Sequence, residues 1–197
     1  MKRTGQYRIV CGLCAISLFW AAPHHSFAQT ATATASKETA ATGTFSVTGA
    51  VIKPGVWTVE RIRKELAAEL RNVDYTLKGK KGQAQCIPLL SLLKAAEPRL
   101  NPRAKNHLLS FVAFVRAEDG YTASFSLGEL QPEVGKSEVW IALDRNGNAI
   151  PGDDGPVELI VTTDQKPARW VHGVSRIVLV DGIAETDKPA SEGNVKP

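Results

Sequence analysis

The sequence has 197 residues, 24 basic and 20 acidic side chains, and a formal charge of +4. That length suits one domain with its own buried core, and the absence of a Lys/Arg stripe interleaved with aromatics argues against nucleic acid as a partner. No stretch reaches the ~18 consecutive apolar residues of a membrane-spanning helix, so the chain is not expected to be embedded in a bilayer.

The first segment has the form of a secretory signal. Lys2, Arg3 and Arg8 precede an apolar run of about 14 residues from Ile9 to Ala22, and Ser26 and Ala28 place small residues where a signal peptidase reads. Residues 1–28 are therefore expected to be a signal peptide cleaved after Ala28, and the mature protein to be periplasmic. Cleavage removes three basic residues and no acidic one, leaving 21 against 20 and a charge of +1. It also removes Cys11 and Cys14, whose C-x-x-C spacing lies inside the apolar run, so Cys86 is the one mature cysteine. Residues 29–43 are Thr/Ala-rich and residues 183–197 equally poor in large apolar side chains; neither buries enough surface to offset chain entropy, and both are expected to be disordered.

Residues 44–182 read as a single α+β domain, mixed and rich in strands. Phe45 and Val47 alternate in a first strand that ends before the Lys53-Pro54-Gly55 turn. Thr58 is placed to cap a helix carrying Ile62, Leu66 and Leu70 on one face, with Glu60 in its first turn. Val73–Leu77 and Ala84–Ile87 flank a Lys/Gly-rich hairpin tip. Pro88 opens a short helix with Leu89, Leu92 and Leu93 inward. Leu108–Arg116 and Tyr121–Phe125 form strands around the Asp119-Gly120 turn. Ser126 to Glu129 fits a capping box, and strands at Val139–Leu143, Val157–Thr162 and Val174–Val180 complete the pattern.

Several apparent motifs fail on their spacing. Gly135-Lys136-Ser137 resembles the end of a phosphate loop, but Leu130 stands where that loop needs glycine. Asp144, Asn146 and Asn148 begin like a calcium loop, yet Ala149 and Gly155 occupy its glycine and glutamate positions. His107 and His172 each lack neighbours at metal-ligand spacing and are expected to be structural.

The order of the remaining signals is more specific. Ile87-Pro88-Leu89 with Leu92-Leu93, then Ala117-Glu118-Asp119-Gly120-Tyr121 and Ser126-Leu127, then Asn146-Gly147, Gly155-Pro156 and Arg169-Trp170 together resemble the molybdopterin-binding domain of the sulfite oxidase family. The likeness spans about Phe45 to Asp181. It implies that family's α+β fold, with loops lining a pterin pocket. Catalytic members carry a metal-binding cysteine upstream of the Pro-Leu stretch; here 72–85 contains none and Cys86 is misplaced for it, so no molybdenum is expected. Where those members tend to have cations facing the cofactor phosphate, this chain has Asp154 and Glu158.

The resemblance therefore implies a non-catalytic protein for a reduced pterin without phosphate, similar to the small exported PruR-type pterin-binding proteins. Such proteins pass a pterin signal to the periplasmic domain of a membrane receptor. Asp119, Tyr121, Asp154, Glu158, Arg169 and Trp170 are the candidate ligand residues, with Trp170 as stacking face and a carboxylate pairing with the pterin amino edge. Two alternatives stay open: a molybdopterin-dependent oxidoreductase or its accessory subunit, and an interaction module that binds no ligand.

Overall fold

The computed structural model describes residues 43–186. The expected signal peptide, nearly all of the leader and most of the tail lie outside the described residues. Two sheets carry the fold. Strands β1 (Thr44–Gly49), β2 (Gly55–Thr58), β5 (Phe111–Ala117), β6 (Thr122–Ser126) and β9 (Val174–Asp181) form a five-stranded sheet in the order β2-β1-β9-β5-β6. Strands β3 (Arg71–Leu77), β4 (Lys80–Pro88), β7 (Val139–Ala142) and β8 (Glu158–Val161) form a four-stranded sheet in the order β3-β4-β7-β8. Neighbours run antiparallel except β1 and β9, which are parallel.

The alternation read in the sequence sets the faces. Phe45 and Val47 of β1, Phe111 and Val115 of β5 and Ile177 and Leu179 of β9 point into one core cluster with Ile141 and Leu159 of the other sheet. Period-two burial is what a sheet with one wet face requires. β8 differs: all four of its residues are buried.

Among the described residues, four short α-helices complete the fold. Thr58 caps α1 (Val59–Glu65), its Oγ1 accepting the Arg61 N–H at 3.0 Å. Helix α2 (Leu89–Ala95) follows Pro88 and buries Leu89, Leu90, Leu92 and Leu93. Helix α3 (Leu127–Leu130) starts with the reciprocal Ser126–Glu129 box, both bonds being 3.0 Å. Helix α4 (Gly182–Thr186) follows β9 and extends into the segment expected to begin the disordered tail. Among the described residues no helix is long and apolar enough to cross a membrane.

Several boundaries depart from expectation; strand β4, for one, already begins at Lys80, inside the expected hairpin tip. Helix α1 stops at Leu66, and a 3-10 turn at Ala67–Glu69 delivers Leu70 in extended conformation, because Arg71 already pairs with Cys86 across β3 and β4. Strand β5 starts later than Leu108, since a 3-10 turn at His107–Ser110 precedes it. His107 fastens that turn: its Nδ1 accepts from the Asn101 N–H at 2.8 Å and its Nε2 meets Asp181 at 3.0 Å.

The parallel junction depends on Gly49. Its φ is +92°, and a Cβ there would sit 2.1 Å from the Leu179 carbonyl oxygen, the same oxygen that accepts the Ala50 N–H at 2.7 Å. Gly49→Ala is therefore expected to lose about 2 kcal/mol or more through strain at positive φ and steric conflict. Urea denaturation measures this; a loss under ~0.5 kcal/mol, the size of a neutral surface change, would show that the junction tolerates a side chain.

Candidate functional site

Two glycines bring the polar centre together. Gly155 has φ +74° and ψ −173°, a region essentially reserved for glycine. A Cβ on it would stand 2.6 Å from the Gly173 Cα, so the loop before β8 and the loop before β9 cross backbone to backbone. Gly173, itself at φ +62°, also accepts the Glu118 N–H at 3.0 Å. The residues preceding the two glycines, Asp154 and His172, are thereby held beside Glu158, the first residue of β8. Arg145, in the turn after β7, reaches in from the third side; Asn146 at φ +51° and Gly147 at φ +75° make that turn.

Glu158 is 3% exposed. Its carboxylate accepts a fork from Arg145, through Nε at 2.8 Å and through Nη2, and makes a further hydrogen bond with His172 Nδ1. Arg145 Nη1 lies 3.0 Å from Asp154 Oδ2, and its Nη2 lies 3.3 Å from His172 Nδ1. Burial pushes the Glu158 carboxyl upward, but the hydrogen bonds and charges of His172 and Arg145 outweigh it and hold the group below its ordinary value. The bond to Glu158 in turn raises His172 against the opposing effect of burial.

The expectation for Asp154 and Glu158 therefore needs correction. They are not bare carboxylates repelling a phosphate; Arg145 neutralises part of their charge, and His172 neutralises more when protonated. The side-chain donors of Asp154, Glu158 and His172 all lie within 4.8 Å of one another, spacing a metal ion could use, but the Arg145 guanidinium already serves as their cation. His172, expected to be a lone structural histidine, is a member of this network.

The other candidates fall elsewhere. Asp119 Oδ1 accepts the Tyr121 N–H at 2.8 Å and shapes the β5–β6 turn, while the Tyr121 hydroxyl donates to the Ala168 carbonyl. Arg169 is engaged by Asp164, at 2.9 and 2.6 Å, lies 3.5 Å from Glu129, and sits 4.9 Å over the Phe125 ring. Trp170 is 9% exposed and donates its indole N–H to the Val161 carbonyl at 3.0 Å; the open stacking face expected of it is largely covered.

A cleft of about 790 Å³ opens beside Trp170, with Tyr75, Asp74, Gln83, Asn146 and Asp164 among its walls. Tyr75 meets Trp170 edge to face, with centroids 5.7 Å apart at 79°. Tyr75 is fixed from beneath: it pairs in register with Gly82, where a Cβ would come within 2.5 Å of the phenol ring. Burial raises the Tyr75 phenol, the Arg145 charge opposes this and the Glu158 charge adds to it, which ties this ring to the ion network. A second cleft of about 560 Å³ is lined by Arg63, Glu118, Asp144, Gly147 and Gly155. Sequence reasoning missed Arg145, His172 and Tyr75. The Asp144–Asn148 run did mark the Arg145 turn, as an incomplete calcium loop or an Asx-rich hairpin turn, but gave Arg145 itself no role.

The described residues do not fit a molybdenum thiolate centre. Cys86 is their free cysteine and is fully buried. Burial, with a smaller effect from Asp144, pushes its thiol up to about 12, whereas a metal ligand must be a thiolate. Its Sγ lies 3.5 Å from the Ala84 carbonyl within the sheet.

No family model matches the sequence, and no curated protein matches it. Among solved structures the chain is similar to the crystal structure of the sulfane dehydrogenase SoxCD from Paracoccus pantotrophus, with a TM-score of 0.51 and 19% identity over 71% of this chain. The likeness covers 38% of that neighbour's chain, and at this identity it is a likeness of fold: mixed, sheet-rich and with few helices.

The paired shifts define a pH signature. His172 is raised above 6.5, so its contribution to stability is complete below 6.5 and is lost as pH rises through the folded value. Glu158 is lowered below 4.5, so its contribution is complete above 4.5 and is lost as pH falls through the folded value. The melting temperature of His172→Gln should lie furthest below wild type between these limits and converge on it at alkaline pH. A difference independent of pH would show that His172 acts by packing alone.

Proposed function

We propose that this domain binds a reduced pterin lacking phosphate, performs no molybdenum chemistry of its own, and acts as an exported carrier for the periplasmic part of a membrane receptor. The observation that carries the reading is the Tyr75–Trp170 cleft. It joins an aromatic wall to Asp74, a carboxylate engaged on one oxygen by Gln83 Nε2 at 2.8 Å. A pterin presents a flat ring for the aromatic wall and two adjacent donors, its 2-amino group and N3–H, for a carboxylate. The likeness of fold to the sulfane dehydrogenase SoxCD supports the mixed, sheet-rich scaffold on which this reading rests. The buried, weakly acidic Cys86 supports the non-catalytic part. In this reading the amino-edge partner is Asp74, since Arg145 engages Glu158 and Asp154, and Tyr75 and Trp170 share the ring contact.

The neighbour's name, a sulfane dehydrogenase, favours a second reading in which the chain is an oxidoreductase or part of one. Elemental analysis of protein made in a molybdopterin-producing host separates the two: the carrier reading expects far less than one molybdenum per chain.

Calorimetric titration with 6-methyltetrahydropterin tests the proposal. Tyr75→Ala is expected to weaken binding several-fold, since a lost aromatic contact costs ~0.5–1.5 kcal/mol beyond its apolar area. Asp74→Asn should cost ~1.5–3 kcal/mol as a charge-assisted hydrogen bond. Folded protein that binds no pterin below ~1 mM, weaker than about −4 kcal/mol, would leave the ligand-free interaction module in its place.

A further inference from the structure

The outward face of the five-stranded sheet carries an unbalanced pair of charges. Arg116 of β5 and Arg176 of β9 are directly opposite one another in register. Both are exposed, and among the described residues neither guanidinium has a hydrogen-bond or ion-pair partner. Like charges directly opposite on adjacent strands destabilise a sheet, so folding alone gives no reason for this pair. Ser46 and Thr122 continue the row on either side, without a carboxylate.

One strand repeat along, about 7 Å away, Phe114 pairs with Val178 on the same face. Phe114 is 39% exposed. Phe114, Arg116, Thr122, Arg176 and Val178 together line a shallow depression of about 280 Å³. Two forked donors therefore stand beside an apolar floor, on a face separate from both clefts described above.

We propose that this depression docks a segment of a partner protein that presents carboxylates to Arg116 and Arg176 and an apolar side chain to Phe114 and Val178. Guanidinium forks match carboxylate geometry and are less strongly hydrated than an ammonium, which suits them to an interface. The apolar row selects a protein segment over a free anion, which would leave Phe114 and Val178 wet. The same face of a second copy carries no carboxylate in the Ser46–Arg176–Arg116–Thr122 row to meet these guanidinium groups, so self-association through this face is disfavoured.

Amide shifts of the isotope-labelled full chain provide the test. The probe is an acetylated peptide, Ser-Leu-Ser-Glu-Ser-Glu-Ser, whose alternation puts Leu and both Glu on one face, with its Gln-for-Glu counterpart as control. The proposal expects saturable shifts centred on Phe114, Arg116, Thr122, Arg176 and Val178. Binding should be at least five-fold weaker for the Gln peptide and for the double variant Arg116→Gln/Arg176→Gln. That variant removes an opposed pair of charges, so it should melt no lower than wild type. The proposal is overturned by the absence of shifts in this region, by equal binding of the Gln peptide, or by inorganic phosphate producing the same shifts at the same concentration. A double variant that binds the Glu peptide as wild type does, or that melts well below it, also overturns the proposal.

Discussion

The centre of this protein rests on one buried carboxylate. Glu158 opens a strand whose residues are all buried, and taking an ionised carboxylate out of water costs several kcal/mol unless charged and hydrogen-bonded partners replace the solvent. Those partners come from separate parts of the chain: Arg145 from the turn after β7 and His172 from the loop before β9, while Asp154 holds the far side of the guanidinium. Meeting the needs of one acid therefore fixes three loops at one end of the four-stranded sheet. The crossing of Gly155 and Gly173 makes that meeting sterically possible. A larger residue at Gly155 would meet the Gly173 backbone and separate Asp154 from His172 before any electrostatic gain could be realised.

The same network bounds the proposed ligand cleft. Asn146, next to Arg145, lines the cleft directly and accepts the Gln83 N–H at 2.9 Å. Gln83 reaches Asp74, and the register of β3 with β4 places Tyr75 across Gly82. Ion network, hairpin and aromatic wall are thus joined through short contacts. Charge at this end of the molecule is balanced locally by Arg145 and His172, and Arg169 engages Asp164, so discrimination against phosphate would have to come from the cleft's remaining acid, Asp74.

Much of the fold was legible in the sequence because its signals are local. Alternation at Phe45 and Val47, the Thr58 cap, the Ser126–Glu129 box and the turns at Asp119-Gly120 and Asn146-Gly147 each depend on residues a few positions apart, and each element forms where expected. Leu70 misled because helical spacing cannot show that β3 claims the chain from Arg71. The site was legible only in part. Asp154 and Glu158 were flagged by their place in the family resemblance, but their partner His172 lies 14 positions beyond Glu158, and nothing in a lone histidine reveals a glycine crossing. Trp170 was marked as a stacking face, and the structure leaves it 9% exposed, on a cleft wall it shares with Tyr75. The exposed face of a tryptophan is decided by tertiary packing, which leaves no periodic trace.

A double-mutant cycle on Glu158 and Arg145 tests the central claim most directly, using Glu158→Gln, Arg145→Met and the two combined, with unfolding free energy read from urea titration at pH 6. If the buried carboxylate organises this end of the fold, each single variant strands the other charge and is strongly destabilised. The double variant should then recover much of the loss, a coupling of about 1–3 kcal/mol as found for residues in one network. Additive losses, with no coupling beyond ~0.5 kcal/mol, would contradict the account and show that Arg145 and Glu158 are neighbours without being partners.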